Sequence, residues 1–248
     1  MKNLFFSFIV LFLTACGVNQ QIKLEEKEIS DKIEFSENRS GTVQFLFPQI
    51  TDLPEDSPLN NINSVIVEQL KGTEKKPLET IQKEFIKEYK EFIDEFPSSP
   101  QSWEIKKDIK TVMKTDNLLS LTLTDFSYTG GAHPNTFVTH LCFDLKTGKR
   151  ISLEDLITKE KMNELNILAE KKFRSDNNFN ETSNYQEEGY FVENGKLKVN
   201  DNFLITNDGL TFLFNSYEIA PYSTGRTKIH LKLSELKGLL KNNYFFNN

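Results

Sequence analysis

Two segments with the alternation of β-strands, Leu118 to Tyr128 and Thr136 to Leu145, flank the loop Thr129-Gly130-Gly131-Ala132-His133-Pro134-Asn135, and this arrangement narrows the fold more than any other stretch. Two adjacent glycines admit positive φ values that a side chain penalises. Proline fixes its own φ and holds His133 toward an extended conformation. The loop is therefore shaped, and a hairpin corner is its expected role. Tyr128, Gly130, Gly131, His133, Pro134 and Asn135 are its candidate binding residues. In the first strand Leu119, Leu121 and Leu123 share a face opposite Ser120, Thr122 and Thr124. In the second, Phe137, Leu141, Phe143 and Leu145 oppose Val138, His140 and Cys142. Trp103 to Lys114 precedes them across a Thr115-Asp116-Asn117 turn, giving three antiparallel strands with one packed and one more polar face.

Upstream, Val43, Phe45 and Phe47 alternate before Pro48 ends a strand. Two amphipathic helices follow. One carries Leu59, Ile62, Val65, Ile66 and Leu70; the other carries Leu78, Ile81, Phe85, Tyr89, Phe92 and Phe96, and its mixed charge favours core packing over membrane contact. Downstream, Ser152 with Asp155 resembles a capping box and starts a helix bearing Leu156, Ile157, Leu165, Leu168 and Phe173. Residues 174–200 are polar, with Tyr185 and Tyr190 embedded as expected exposed contacts. Phe203 to Phe214 is a hairpin turning at Asp208-Gly209. Tyr217 and Tyr222 flank Pro221 and serve as corner residues or contact residues. A last strand, Ile229 to Leu233, precedes a short helix from Ser234 to Leu240.

The N-terminus speaks to location. Leu4 to Leu13 is uncharged and apolar, too short to span a bilayer, and Leu13-Thr14-Ala15-Cys16 follows directly. This is similar to a bacterial lipobox and implies cleavage before Cys16 with lipidation of its sulfur, an anchor of two or more acyl chains. Gly17 in place of aspartate leaves outer-membrane sorting as the expectation. Loss of residues 1–15 removes one positive charge, Lys2, so the formal net charge of −6 becomes −7. That balance disfavours nucleic acid and suits a basic protein partner. Cys142 is then left without a disulfide partner.

Residues with chemical potential are sparse. His140 and Cys142 share one side of a strand, but structural zinc needs a second ligand pair that is absent, so no metal and no cofactor are expected. No hydrolase elbow, metalloprotease helix or phosphate loop occurs. Acidic pairs such as Glu187-Glu188 lie in polar segments that do not tune a carboxylate for acid catalysis. No catalytic residue is assigned.

The loop from Tyr128 to Asn135, together with Asp144-Leu145-x-Thr147-Gly148-Lys149-x-Ile151-x-Leu153-x-Asp155-Leu156, resembles the extracytoplasmic domain of RsiV-type anti-sigma factors. Asp208-Gly209-Leu210-x-Phe212-x-Phe214-x-x-Tyr217-Glu218-Ile219-Ala220-Pro221-Tyr222-x-x-Gly225 is similar to the C-terminal part of that family. The first half resembles the non-catalytic module ahead of PdaC-type polysaccharide deacetylases. The resemblance implies an α+β fold of antiparallel curved sheets with packed amphipathic helices, in two intimately associated subdomains. The expected organisation is a lipoprotein signal peptide (1–15), a lipid anchor and flexible tether (16–38), a PdaC-module-like part (39–142) and an RsiV C-terminal-like part (143–241). It also implies binding, because RsiV-type domains recognise lysozyme, whereas neither a sigma-factor-binding segment nor a deacetylase catalytic domain is recognisable. The expectation is a lipid-anchored envelope protein without catalytic activity, recognising lysozyme, another wall hydrolase or peptidoglycan. Its alternatives are a wall-modifying enzyme using the His133 loop and a purely structural lipoprotein.

Overall fold

The computed structural model describes residues 22–36, 38–242 and 244–246. Its architecture is α+β, with one sheet of five strands and one of three. Strand β1 (Lys23–Ser36) pairs antiparallel with β2 (Arg39–Thr51). Helices α1 (Asn60–Lys71) and α2 (Leu78–Glu95) then return the chain to the start of β3 (Trp103–Lys114). Because that crossover brings β3 in at the same end as β2, the two run parallel, with Gly41 opposite Trp103. The first sheet is therefore mixed, where strand succession alone predicts an antiparallel one. Strands β4 (Leu118–Tyr128) and β5 (Asn135–Asp144) complete it in antiparallel order.

The alternation in β4 explains why both faces of this sheet are buried where β5 lies beside it. Leu119, Leu121 and Leu123 face a core made with Val43, Phe45, Ile66, Leu70 and Phe85 beneath the two helices. The opposite face was expected to be the more polar one, yet Ser120 is wholly buried there. Leu118 and Cys142 belong to a second core, shared with the C-terminal part. That part comprises α3 (Leu153–Leu156), α4 (Met162–Asp176) and a three-stranded antiparallel sheet of β6 (Phe203–Thr206), β7 (Gly209–Phe214) and β8 (Thr227–Lys232). β6 lies against the first sheet: Ser120 Oγ donates to the Ile205 carbonyl at 2.8 Å, and Ile205 N–H reaches Cys142 Sγ at 3.3 Å. Burial pushes the Cys142 thiol pKa up, so the sulfur sits there as a small neutral acceptor.

The outer edge of β5 is closed at its end by backbone, where Phe143 bridges Arg150, Asp144 N–H donates to the Lys149 carbonyl and Ile151 N–H to the Cys142 carbonyl, and before that by side chains. Asn215 accepts from Val138 N–H at 2.8 Å and donates to the Val138 carbonyl at 3.1 Å. Asn202 accepts from His140 N–H at 2.7 Å and also donates to Val138 at 2.8 Å, while Arg150 reaches the His140 carbonyl. The Val138 and His140 backbone groups are thereby satisfied without a strand partner.

Several local expectations need correction. Within the stretch 16–38, expected as a tether, Lys23–Ser36 is strand, because Leu24, Ile29 and Ile33 are apolar enough to pack on the helix-side core. Cys16 and the signal segment lie outside the described residues. The Ser152 and Asp155 capping box is present, but its helix stops at Leu156, and Ile157 forms a bridge with Leu240. Residues 234–240, expected as a helix, are turns drawn to that bridge. In the β6–β7 hairpin Thr206 pairs with Gly209, so the loop residues are Asn207 and Asp208. Gly209 serves close packing instead: a Cβ there would sit 2.0 Å from the Leu231 carbonyl oxygen.

A candidate binding surface at one end of the sheet

The strand ladder gives the molecule two ends. Residue 22 lies at one of them, where the Ile22 carbonyl accepts from Lys114 Nζ at 2.9 Å and Lys23 pairs with Thr51. The β4–β5 loop lies at the other, beyond the pairing of Ser127 with Asn135. The length of β4 separates the two by ~33 Å, at ~3.3 Å per residue.

Gly130 and Gly131 have φ of 107° and 108°, the region that a side chain penalises. A Cβ on Gly130 would also press on the Gln101 side chain, whereas Gly131 faces open space and is held by conformation alone. Tyr128 Oη donates back to the Gly131 carbonyl at 3.1 Å, which fixes the turn. The Pro134 carbonyl takes two donors, His133 Nδ1 at 3.1 Å and Tyr222 Oη at 3.4 Å. A carbonyl only accepts, so Nδ1 is the donor here and Nε2 is left free to face a ligand.

Tyr222 comes from the corner that follows β7. Tyr217 adopts φ of 71° there and donates its N–H to the Ala220 carbonyl at 2.8 Å; Pro221 then sets the entry into a 3-10 turn, Tyr222–Thr224. The corner lays Tyr222 flat on His133, with ring centroids 4.0 Å apart and planes 17° from parallel. Tyr217 continues the tier at 6.0 Å and 33°. Tyr217 is 59% exposed and Tyr222 38%, and Phe137 and Phe191 are exposed as well. Phe191 is joined to the corner through its N–H, which donates to the Ile219 carbonyl. The structure thus brings Tyr128, Gly130, Gly131, His133 and Pro134 together with Tyr217 and Tyr222. The pair Tyr217 and Tyr222 is at once a corner and an exposed surface. Asn135 contributes through its backbone, as the first residue of β5.

Tyr185 and Tyr190 do not belong to this surface and are not exposed contacts. They are only 3% and 8% exposed. Tyr185 donates to Glu170 Oε1 at 3.2 Å under the Arg174 guanidinium, which lies 4.4 Å from its ring; burial foremost, then Glu170, pushes its pKa up to about 12. Tyr190 packs edge-on against Phe173. The segment between α4 and β6 has little regular structure, and these rings tack it to the core. The overlooked sign was their sparseness, since a long polar loop needs apolar anchors to hold it down.

His140 is buried, with Nδ1 3.0 Å from Thr122 Oγ1. Burial first, then nearby Lys228, lowers its pKa to about 4. Among the described residues no group of three His, Cys, Asp or Glu side chains could hold a metal ion. No helix among them is long and apolar enough to cross a membrane.

Comparison with known proteins agrees with the two-part resemblance. Residues 20–136 match the family model described as Deacetylase PdaC, and residues 154–234 match that of Protein of unknown function (DUF3298). Among solved structures, a DUF3298 family member from Bacteroides fragilis is similar at 22% identity and a TM-score of 0.71, with 91% of this chain and 96% of that chain covered. A DUF3298 family protein from Pseudomonas aeruginosa is similar at 18% identity and a TM-score of 0.67, with 91% and 98% covered. These likenesses show a common fold across both parts. No curated protein matches the chain.

Proposed function

We propose that this chain, a PdaC-type first part joined to a DUF3298-type second part, is a lipid-anchored, non-catalytic binding protein of the bacterial envelope, sorted to the outer membrane. The observation that carries this reading is the exposed tier of His133, Tyr222 and Tyr217, built from two loops at the end of the sheet opposite to residue 22. An anchor at Cys16 puts that tier on the side facing away from the membrane. Exposed ring faces stack on sugar rings, and the free His133 Nε2 hydrogen-bonds a hydroxyl, so cell-wall glycan is the ligand the tier suits best. His133 spends Nδ1 on the Pro134 carbonyl and one ring face on Tyr222, which supports a positioned role in binding.

Titration with soluble peptidoglycan fragments tests the reading. Saturable binding is expected, with loss in a Tyr217→Ala/Tyr222→Ala double variant; equal binding by that variant sinks it. Fragment turnover that disappears in His133→Ala would overturn the non-catalytic assignment. A second reading, capture of lysozyme or another basic wall hydrolase, is favoured by the net charge of −6. Lysozyme titrated at low and moderate salt decides it, and the absence of a complex at both removes it.

A further inference from the structure

The carboxyl end of a helix favours cations, yet the last turn of α2 supplies no cation of its own and carries Asp94 and Glu95. The cation at its carboxyl end is Arg39 of β2, which donates to the Pro97 carbonyl just past the helix. At about 100° per residue, Glu84, Glu88, Glu91 and Glu95 form one row beside Phe92 and Phe96, with Lys83, Lys87 and Lys90 toward the far side. Lys76 holds Glu84 at 2.7 Å and Lys87 holds Glu91 at 3.4 Å. Glu88 and Glu95 have no ion-pair partner among the described residues.

Beside that row the surface is aromatic. Phe96 is 49% exposed and Phe35 39%. Phe92 lies between Phe96, at 5.4 Å, and Trp103, at 4.8 Å, and Tyr89 joins Phe92 to Phe35. The rings are one packed cluster with Tyr89 wholly buried at its centre, and its open part is Phe96 with half-buried Phe92 on one side and Phe35 on the other, apolar surface of the kind that marks an interaction site. Beneath it the Trp103 indole N–H is buried without a hydrogen-bond partner.

Arg39 stands at the Phe35 side of the patch, its guanidinium 6.0 Å from that ring and bonded to the Pro97 carbonyl, whereas the Phe92–Phe96 side is edged by Glu88 and Glu95, and that side suits an apolar anchor flanked by cations. We propose that the C-terminal half of α2, with Phe35 and Trp103, is a docking surface for a cationic amphipathic polypeptide segment. Its apolar side chains rest on Phe92 and Phe96, and its Lys or Arg side chains lie against Glu88 and Glu95. This surface uses none of the residues of the His133 tier, so either can fail without the other.

The test is a titration of the purified chain with a labelled Leu/Lys amphipathic peptide, followed by fluorescence anisotropy, with a Leu/Glu peptide of the same pattern and oligolysine as comparisons. The Leu/Lys peptide should bind, most tightly at low salt. Phe96→Ser should weaken it about tenfold, as expected of an interface anchor. Glu88→Gln/Glu95→Gln should weaken it several-fold and flatten the salt dependence. All three changes are at exposed positions, and circular dichroism verifies folding. Tyr217→Ala/Tyr222→Ala should leave the affinity unchanged. Failure of the Leu/Lys peptide to bind, equal binding of the Leu/Glu peptide or of oligolysine, or indifference to both the Phe96 and the glutamate variants overturns the proposal.

Discussion

The polar segment between α4 and β6 and the corner after β7 both set tyrosines among polar residues, and they use them in opposite ways. In the first, Tyr185 and Tyr190 point inward around Phe173 and fasten a long irregular run to the core. In the second, Asn215, Ala220 and Pro221 hold the backbone, and the rings of Tyr217 and Tyr222 remain outside. A loop whose backbone groups are already satisfied has no need of its aromatics as anchors. One that lacks regular structure must bury them.

The sharpest way to break this contrast is truncation. Tyr185→Ala should destabilise the fold by ~3–5 kcal/mol, the usual cost of deleting a large buried ring, measured as the urea midpoint. Tyr222→Ala should cost no more than ~1 kcal/mol while removing ligand binding at the tier. Similar losses of stability for the two would erase the distinction.

Acid should also separate regions. His140 titrates at about 4 in the fold against ~6.5 when unfolded, so the unfolded chain binds more protons between those values. The stability this contributes is fully present above pH ~6.5, falls as pH drops through that window and is lost below about 4, a change on the order of 3 kcal/mol. Denaturant unfolding at pH 7 and pH 5 should show the decline, and His140→Gln should flatten it. A slope unchanged in the variant would place its origin elsewhere.

Next in size is the edge of β5. Asn215→Ala leaves the Val138 N–H without its buried acceptor and should cost ~1–3 kcal/mol, read from thermal melting. The smallest effect is expected at the corner itself. Tyr217 holds a φ of 71°, so Tyr217→Gly relieves strain and should change stability by less than ~1 kcal/mol, with weaker ligand binding as its main consequence.

Much of this architecture was legible from periodicity. The three strands from Trp103 onward and both N-terminal helices were set by side-chain spacing that packing later uses, except that Phe137 and Phe96, at the ends of their stripes, are left exposed. What escaped was whatever depended on a second layer. Ser120 reads as part of a solvent-leaning face because nothing local announces that β6 will cover it. The parallel pairing of β2 with β3 follows from where the helices set the chain down, not from either strand's residues. The tier was half legible: the loop and the corner each stood out, but their meeting through the Pro134 carbonyl is a contact across 88 residues of sequence. The aromatic patch on α2 was hidden in its own stripe, since Phe85, Tyr89, Phe92 and Phe96 share one spacing and only the end of the helix leaves it uncovered.

The placement of residue 22 and the ring tier at opposite ends of the strands has a mechanical meaning. Under the proposed function, a pull between an anchor at one end and a ligand at the other would run along the strands, at right angles to the ladder hydrogen bonds joining β1 to β2. Those bonds would then be loaded in shear and share the force together, so the module would resist tension as a whole where a ladder pulled from one side would open bond by bond.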